Sequence, residues 1–377
     1  MTNASKQPAA PRHTDIAIIG GGIAGAAAGF FLARAGAAVL LIEAEAVPGY
    51  HTTGRSAAFF AESYGGPAVQ PLSTASKAFL LTPPRGFAEA PLVTPRGAAH
   101  LYAAGQEGEA EARATALRAG GCDQVDLVPA HALGLDFLAP GRFAGALVDP
   151  DCLDMNVAAL HQGFLRGMKA SGGALRCGAG VAAIDRVTAG WRLRLADGAQ
   201  IRVDLIVNAA GAWADDVARL AGAAPIGLTP LRRTIAVFEA DRRLPADAPV
   251  ILDLAESFYF KPEGAGVLTS PADETPAMAT DVQPEELDIA TGAARVEAAT
   301  ILHLRRLTAK WAGLRTFSPD RRPVIGFDPA MPGLFWSAGQ GGWGIQTAPA
   351  WGDTVAAMIL DQSPPVDPAR FTPKRFA

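Results

Sequence analysis

IAIIGGGIAGAAAGFFLARAGAAVLLIE, residues 16–43, is the stretch on which the fold turns. Ile16, Ala17, Ile18 and Ile19 form an apolar run that stops at Gly20-Gly21-Gly22-Ile23-Ala24-Gly25. An Ala-, Phe- and Leu-rich segment then leads to a second run, Val39 to Ile42, closed by Glu43. The pattern reads strand, tight turn, helix, strand. Gly20 takes the sharp turn, Gly22 lets backbone N–H groups reach a pyrophosphate at the positive end of the helix, and Gly25 lets helix and strand pack closely. Glu43 is placed to accept from a ribose 2′-hydroxyl and to repel a 2′-phosphate. A membrane span is the competing reading of residues 16–33, but the glycines, the strand-like start and Arg34 favour strand, turn and helix.

The chain has 377 residues, 49% apolar and 19% charged, with a formal net charge of −4. This length exceeds one simple core and points to two intertwined domains. An acidic balance without a basic, aromatic-interleaved stretch excludes nucleic acid as a partner. Cys122, Cys152 and Cys177 are odd in number and lack metal-ligand spacing, so neither a metal site nor a disulfide frame is expected, and a reducing, cytoplasmic compartment is. Residues 1–14 lack the apolar region of a secretion signal and read as a disordered tail.

Past Glu43, the polar, Gly-rich loop around His51 and Arg55 faces the nucleotide edge. Strand patterns follow at residues 92–102, 174–177, 181–186, 191–195, 201–208, 232–239, 250–262, 265–270, 310–317 and 334–338. Helical patterns cover 107–119, 155–170 with Asp154 as N-cap, 212–220, 288–304 and 345–360. The strand ending in Asn208-Ala209-Ala210-Gly211 leaves room for close cofactor approach. The loop Gly339-Gln340-Gly341-Gly342-Trp343-Gly344 aims another helix N-terminus at an anion, which suits a flavin better than a nicotinamide, because a reduced flavin carries negative charge on its pyrimidine side. The fold class expected is α/β. A Rossmann-like domain (15–76, 146–225, 318–365) would bind the cofactor, and a mainly antiparallel sheet with helices (77–145, 226–317) would cover it.

Three motifs in this order, GGGIAG…E, IVNAAGAW and SAGQGGWGIQTAPAWG, resemble the D-amino-acid oxidase family of FAD enzymes, within which the chain is most similar to the bacterial D-arginine dehydrogenase type. GYHTTGRSAA, ALHQGFLRG, ESFYFKP, DVQPEELDIATG and KWAGLR extend the likeness over both domains. The resemblance implies noncovalent FAD and a substrate carboxylate clamped by Arg233, Arg315, Tyr64 and Tyr259, with the Gly342 carbonyl accepting from the amino group. Motif and resemblance together give a cofactor set. It comprises Gly20, Gly22, Ile23, Ala24, Gly25, Glu43, Ala44, Arg55, Ser56, Ala57, Val181, Ala209, Gly211, Gly341, Gly342, Trp343, Gly344, Ile345, Gln346 and Thr347.

Two departures bear on the substrate. The D-arginine type carries a glutamate where PLVTPRGA places Ala98, and a histidine where Phe59 stands, so the side-chain pocket is expected to be less polar, with Glu62 as a substitute acid on the loop. The activity implied is oxidative deamination of a D-amino acid with a neutral or apolar side chain. Hydride passes from Cα to flavin N5, and the imino acid hydrolyses to a 2-oxo acid and ammonia. Electrons would pass to a quinone, an electron-transfer protein or oxygen, the first two allowing a peripheral association with the inner membrane. Two rivals remain: an oxidase of glycine, sarcosine or another secondary amine, whose oxygen-activating lysine would fall at Leu268, and a non-catalytic dinucleotide-binding protein.

Overall fold

The computed structural model describes residues 13–377. Residues 1–12 of the expected tail lie outside the described residues. His13 and Thr14 instead begin the first strand, His13–Ile19, where the Thr14 hydroxyl donates to the Ala38 carbonyl at 2.8 Å. The fold is α/β and rests on two large sheets.

The first sheet has eight strands. At its centre His13–Ile19 runs parallel to both Val39–Ile42 and Gln200–Asn208, and Ala174–Arg176 extends the Val39–Ile42 edge. Gln200–Asn208 also carries the hairpin strand Trp191–Leu195 and, parallel to its end, Leu334–Ala338. Two stretches far apart in sequence therefore finish beside the first turn.

The helix Ile23–Arg34 is apolar almost all round because it is buried almost all round. It lies among the helices Val157–Ala170 and Gly344–Ile359, and Phe30 packs edge-on against Phe79 and Phe87. Among the described residues no helix is long and apolar enough to cross a membrane.

The second sheet has nine strands. All its pairings are antiparallel except that of Val250–Asp253 with Ala98–Tyr102. Its long ribbon, Thr229–Ala240 against Leu304–Phe317, faces the first sheet's cavity. A three-stranded sheet of Phe59–Phe60, Leu153–Met155 and Val93–Pro95 is formed by the segments between.

Three expectations need correction. Gly145–Asp149 pairs with Ala98–Tyr102 and Asp126–Pro129 in the second sheet, although the sequence reading begins a cofactor-domain segment at 146. The cap of the helix Val157–Ala170 is Asn156, whose Oδ1 accepts from Ala159 N at 3.0 Å. Asp154 lies in a strand and binds Arg96 and Lys261 instead. The helix expected at 288–304 is Glu286–Ala299, because Leu304 already opens the long ribbon.

Candidate active site

Two cavities meet at three side chains, Arg233, Tyr259 and Arg315, which line both. The first cavity, of about 450 Å³, extends from the first turn to the glycine loop. Gly20, Gly22, Ile23, Ala24, Glu43, Ala44, Arg55, Ser56, Ala57, Val181, Ala209, Gly211, Gly341, Gly342, Gly344 and Ile345 lie in its wall. At Gly20 the backbone has φ +112°, and a Cβ would sit 2.3 Å from the Ala209 carbonyl oxygen, so no side chain fits where the first and second motifs meet. Gly25 packs behind this turn against the Gly20 carbonyl.

Glu43 is fixed by two backbone donors, Gly21 N on Oε2 and Glu45 N on Oε1, each at 2.8 Å. Thr53 Oγ1 accepts from Ile23 N at 3.0 Å. His161, from the helix below, has Nε2 2.9 Å from the Gly21 carbonyl oxygen. Burial holds its pKa below the ordinary value, against the upward pull of that hydrogen bond, so the ring is neutral and Nε2–H donates.

This cavity fits a flavin dinucleotide on its own chemistry. The helices Ile23–Arg34 and Gly344–Ile359 both start at it with N-caps that carry no side-chain cap, leaving N-terminal dipoles for anionic groups. Glu43 stands at the end of the second strand for a ribose. Gln340 Nε2 and Thr316 Oγ1 are buried without a partner among the described residues, and both residues line the cavity. Such groups are costly unless a polar edge, such as that of an isoalloxazine ring, completes them.

The long ribbon sets the junction. Leu231 pairs with Arg315 and Arg233 with Gly313, so the two arginines are diagonal neighbours on one face. Arg315 Nη1 donates to the Tyr64 hydroxyl at 3.0 Å. A Cβ on Gly342 would come within 2.7 Å of that same nitrogen, so the glycine loop lies directly on the guanidinium. Arg233 Nε donates to the Asp273 carbonyl at 2.9 Å. Burial and the charge of Arg315 hold the Arg233 pKa below its ordinary value. Burial also pulls on Arg315, but Tyr64, Tyr259 and Glu274 outweigh it and keep its pKa raised. Two neighbouring, partly desolvated cations of this kind stabilise an anion strongly, and the planar fork of arginine suits a carboxylate.

The second cavity, of about 740 Å³, opens beyond the junction. Phe59, Glu62, Tyr64 and Trp343 line it. Glu62 is not a free acid: Lys77 Nζ lies 2.6 Å from its Oε2, and Thr74 donates to Oε1 at 2.7 Å. Glu256 pairs with Arg113, and Glu274 pairs with Arg321 at 3.0 Å.

Several residues stand elsewhere than the sequence reading placed them. Trp343 is in the wall of the second cavity, not the first. Gln346 is turned into the core, where it accepts from Ala61 N and donates to Ser73 Oγ and the Tyr64 carbonyl, tying the Tyr64 loop to the C-terminal helix. Thr347 donates back to the Trp343 carbonyl at 2.9 Å. Ala98 lines neither cavity and is buried in an apolar cluster with Ala61, Cys152 and Val250. Sequence reasoning missed Thr53, His161, Trp213, Thr316 and Gln340. Trp213 ends the NAAGAW motif and sets its ring 4.6 Å from that of His51, tilted at 49°; the other four had no spacing signal, since they come from a loop, a helix, a strand and the glycine loop that are far apart in sequence.

Comparison with known proteins places this geometry. A sequence model of the FAD dependent oxidoreductase family matches residues 15–358. The tRNA 5-methylaminomethyl-2-thiouridine biosynthesis bifunctional protein MnmC of Thiobacillus denitrificans is 30% identical over 392 residues, covering 97% of this chain and 61% of the relative. The chain spans less than two thirds of the length of the curated relatives it matches. Glycine oxidase from Geobacillus kaustophilus superposes with a TM-score of 0.84 at 22% identity, covering 96% of this chain and 98% of the other. L-Proline dehydrogenase from P. horikoshii does so with a TM-score of 0.85 at 20% identity, covering 97% and 98%. At these identities the two structures show a shared fold.

Proposed function

The chain belongs to the family of FAD dependent oxidoreductases, and from that premise we propose that it oxidatively deaminates D-amino acids with neutral or apolar side chains, yielding a 2-oxo acid and ammonia. The observation that carries this reading is the pair Arg233 and Arg315, set side by side on one face where the two cavities join. FAD in the first cavity supplies the hydride acceptor. The chain's own residues then do the positioning. The two guanidiniums grip the carboxylate, Tyr64 and Tyr259 add hydroxyls that fix its rotation, and the Gly342 carbonyl receives the amino group. That places Cα between the cavities and sends the side chain into the second.

The wall of the second cavity decides what side chain is welcome. Glu62, Glu256 and Glu274 are each already matched by a cation, and Arg113 and Arg321 stand among them. A guanidinium or ammonium entering there loses water and gains no unpaired carboxylate, a penalty of several kcal/mol on the order seen for uncompensated buried charge. The D configuration and the kinship with D-arginine dehydrogenases are supported by the shared motifs around Arg55, Tyr259 and Arg315. The reading includes noncovalent FAD, a cytoplasmic location and a quinone or an electron-transfer protein as acceptor.

The likeness to glycine oxidase keeps a second reading, an oxidase of glycine or a secondary amine. Against it, Leu268 pairs directly with Lys261, whose ammonium is held 2.8 Å from Asp154, so no free lysine stands at that strand position. Turnover with D-leucine and a dye acceptor, without hydrogen peroxide in air, is the expected result. Rapid peroxide formation from glycine or sarcosine would establish the oxidase instead.

A further inference from the structure

The second cavity contains a continuous arc of rings that the carboxylate clamp does not require. Phe59 and Tyr64 have centroids 5.5 Å apart, Tyr64 and Trp343 6.4 Å, and Trp343 and Phe317 5.4 Å. All four line the cavity. Tyr64 links arc to clamp, since its hydroxyl accepts from Arg315 while its ring contacts Phe59 and Trp343. A side chain leaving Cα at the clamp therefore runs along ring faces and edges. At the far end Arg321 covers Phe317 at 3.9 Å and is itself neutralised by Glu274. A glycine or alanine substrate would leave the ring arc, the apolar part of this cavity of about 740 Å³, facing water.

We propose that the preferred substrates carry an aromatic side chain, and that Trp343 and Phe59 set this preference. The proposal rests on the reading of Arg233 and Arg315 as the carboxylate clamp and goes beyond it in naming the side-chain class. Aromatic pairs gain from offset and edge-to-face geometry beyond the area they bury, and the tilted rings of the arc offer both to an incoming ring. Trp343 is suited to the role because its ring borders the cavity while its backbone caps the C-terminal helix, so the side chain can change without altering the helix start.

The test uses the FAD-loaded protein and a dye acceptor, with kcat/KM measured for D-phenylalanine, D-leucine and D-alanine in the parent, Trp343→Ala, Trp343→Phe and Phe59→Leu. The parent should favour D-phenylalanine over D-alanine by roughly 100-fold. Trp343→Ala should lower that ratio by about tenfold, and Trp343→Phe should retain most of it. FAD content and Tm should hold, and if Trp343→Ala loses FAD, the ratio in Phe59→Leu decides. Equal or better turnover of D-alanine in the parent, or a ratio unmoved by these substitutions, overturns the preference while leaving the clamp intact. Failure of every amino acid to be oxidised removes the clamp reading, and the preference with it.

Discussion

Replacing Arg315 by methionine removes one of the two charges that both cavities share while keeping much of the side chain's length. Truncating one partner of a shielded charge pair costs about 2 to 5 kcal/mol, or roughly 30- to 5000-fold in kcat/KM. The structure puts Arg315→Met near the lower end of that range. Arg233 remains on the same face, and losing Arg315 removes the like charge that adds to burial in holding the Arg233 pKa down. The surviving guanidinium is then relieved, and a loss of about 2 to 3 kcal/mol, roughly 30- to 200-fold, is expected. Tm should change little, because the relief at Arg233 offsets the loss of the Arg315–Tyr64 hydrogen bond. The assay is steady-state kinetics with a dye acceptor, beside FAD content and a thermal melt. Near-parental kcat/KM would show that Arg315 holds no carboxylate, and a lowered Tm with lost FAD would make it a structural residue.

Other outcomes follow from the same geometry. Acid precipitation should release all the flavin into the supernatant, since the first cavity offers backbone donors, polar side chains and uncapped helix starts; colour in the pellet would mean a covalent bond. His100 is held at a pKa of about 3 by burial and by the charge of Arg113, partly opposed by Asp253. Between the unfolded value of 6.5 and about 3 the unfolded chain binds a proton that the fold refuses, so this group's effect lowers stability as pH falls below 6.5, by up to about 1.4 kcal/mol per pH unit. His100→Gln should flatten the Tm profile in that window, and an unchanged acid limb would refute this. Ala98→Glu should destabilise the protein by several kcal/mol in a melt rather than confer D-arginine activity, since its carboxylate would enter an apolar cluster; a gain in D-arginine kcat/KM at unchanged Tm would place Ala98 in the pocket after all.

The strand–turn–helix around Gly20 was legible because the turn needs glycine and its flanks need apolar runs, both local demands. The same holds for the strands expected at 191–195 and 201–208, which the structure forms as the antiparallel pair Trp191–Leu195 and Gln200–Asn208. Leu304 was misread because an alternating ribbon end following a helix keeps enough apolar character to prolong the helical pattern. Asp154 has the look of a cap in sequence, but its partners Arg96 and Lys261 are distant in the chain. Trp343 lies among the last glycines in sequence and Gln346 and Thr347 follow them, yet helical rotation turns Gln346 towards Ser73 and Ala61. Thr316 and Gln340 were invisible for another reason: an unpartnered buried polar atom exists only once the surrounding strands have closed over it.

The central claim is that Arg233 and Arg315 hold an amino-acid carboxylate beside a redox-active FAD, and anaerobic mixing of the FAD-loaded protein with single D-amino acids tests it most directly. The account predicts that the yellow flavin bleaches with D-phenylalanine or D-leucine, that one 2-oxo acid appears per flavin reduced, and that D-arginine bleaches it far more slowly. Flavin that stays oxidised with every D-amino acid while remaining bound to the protein would contradict it.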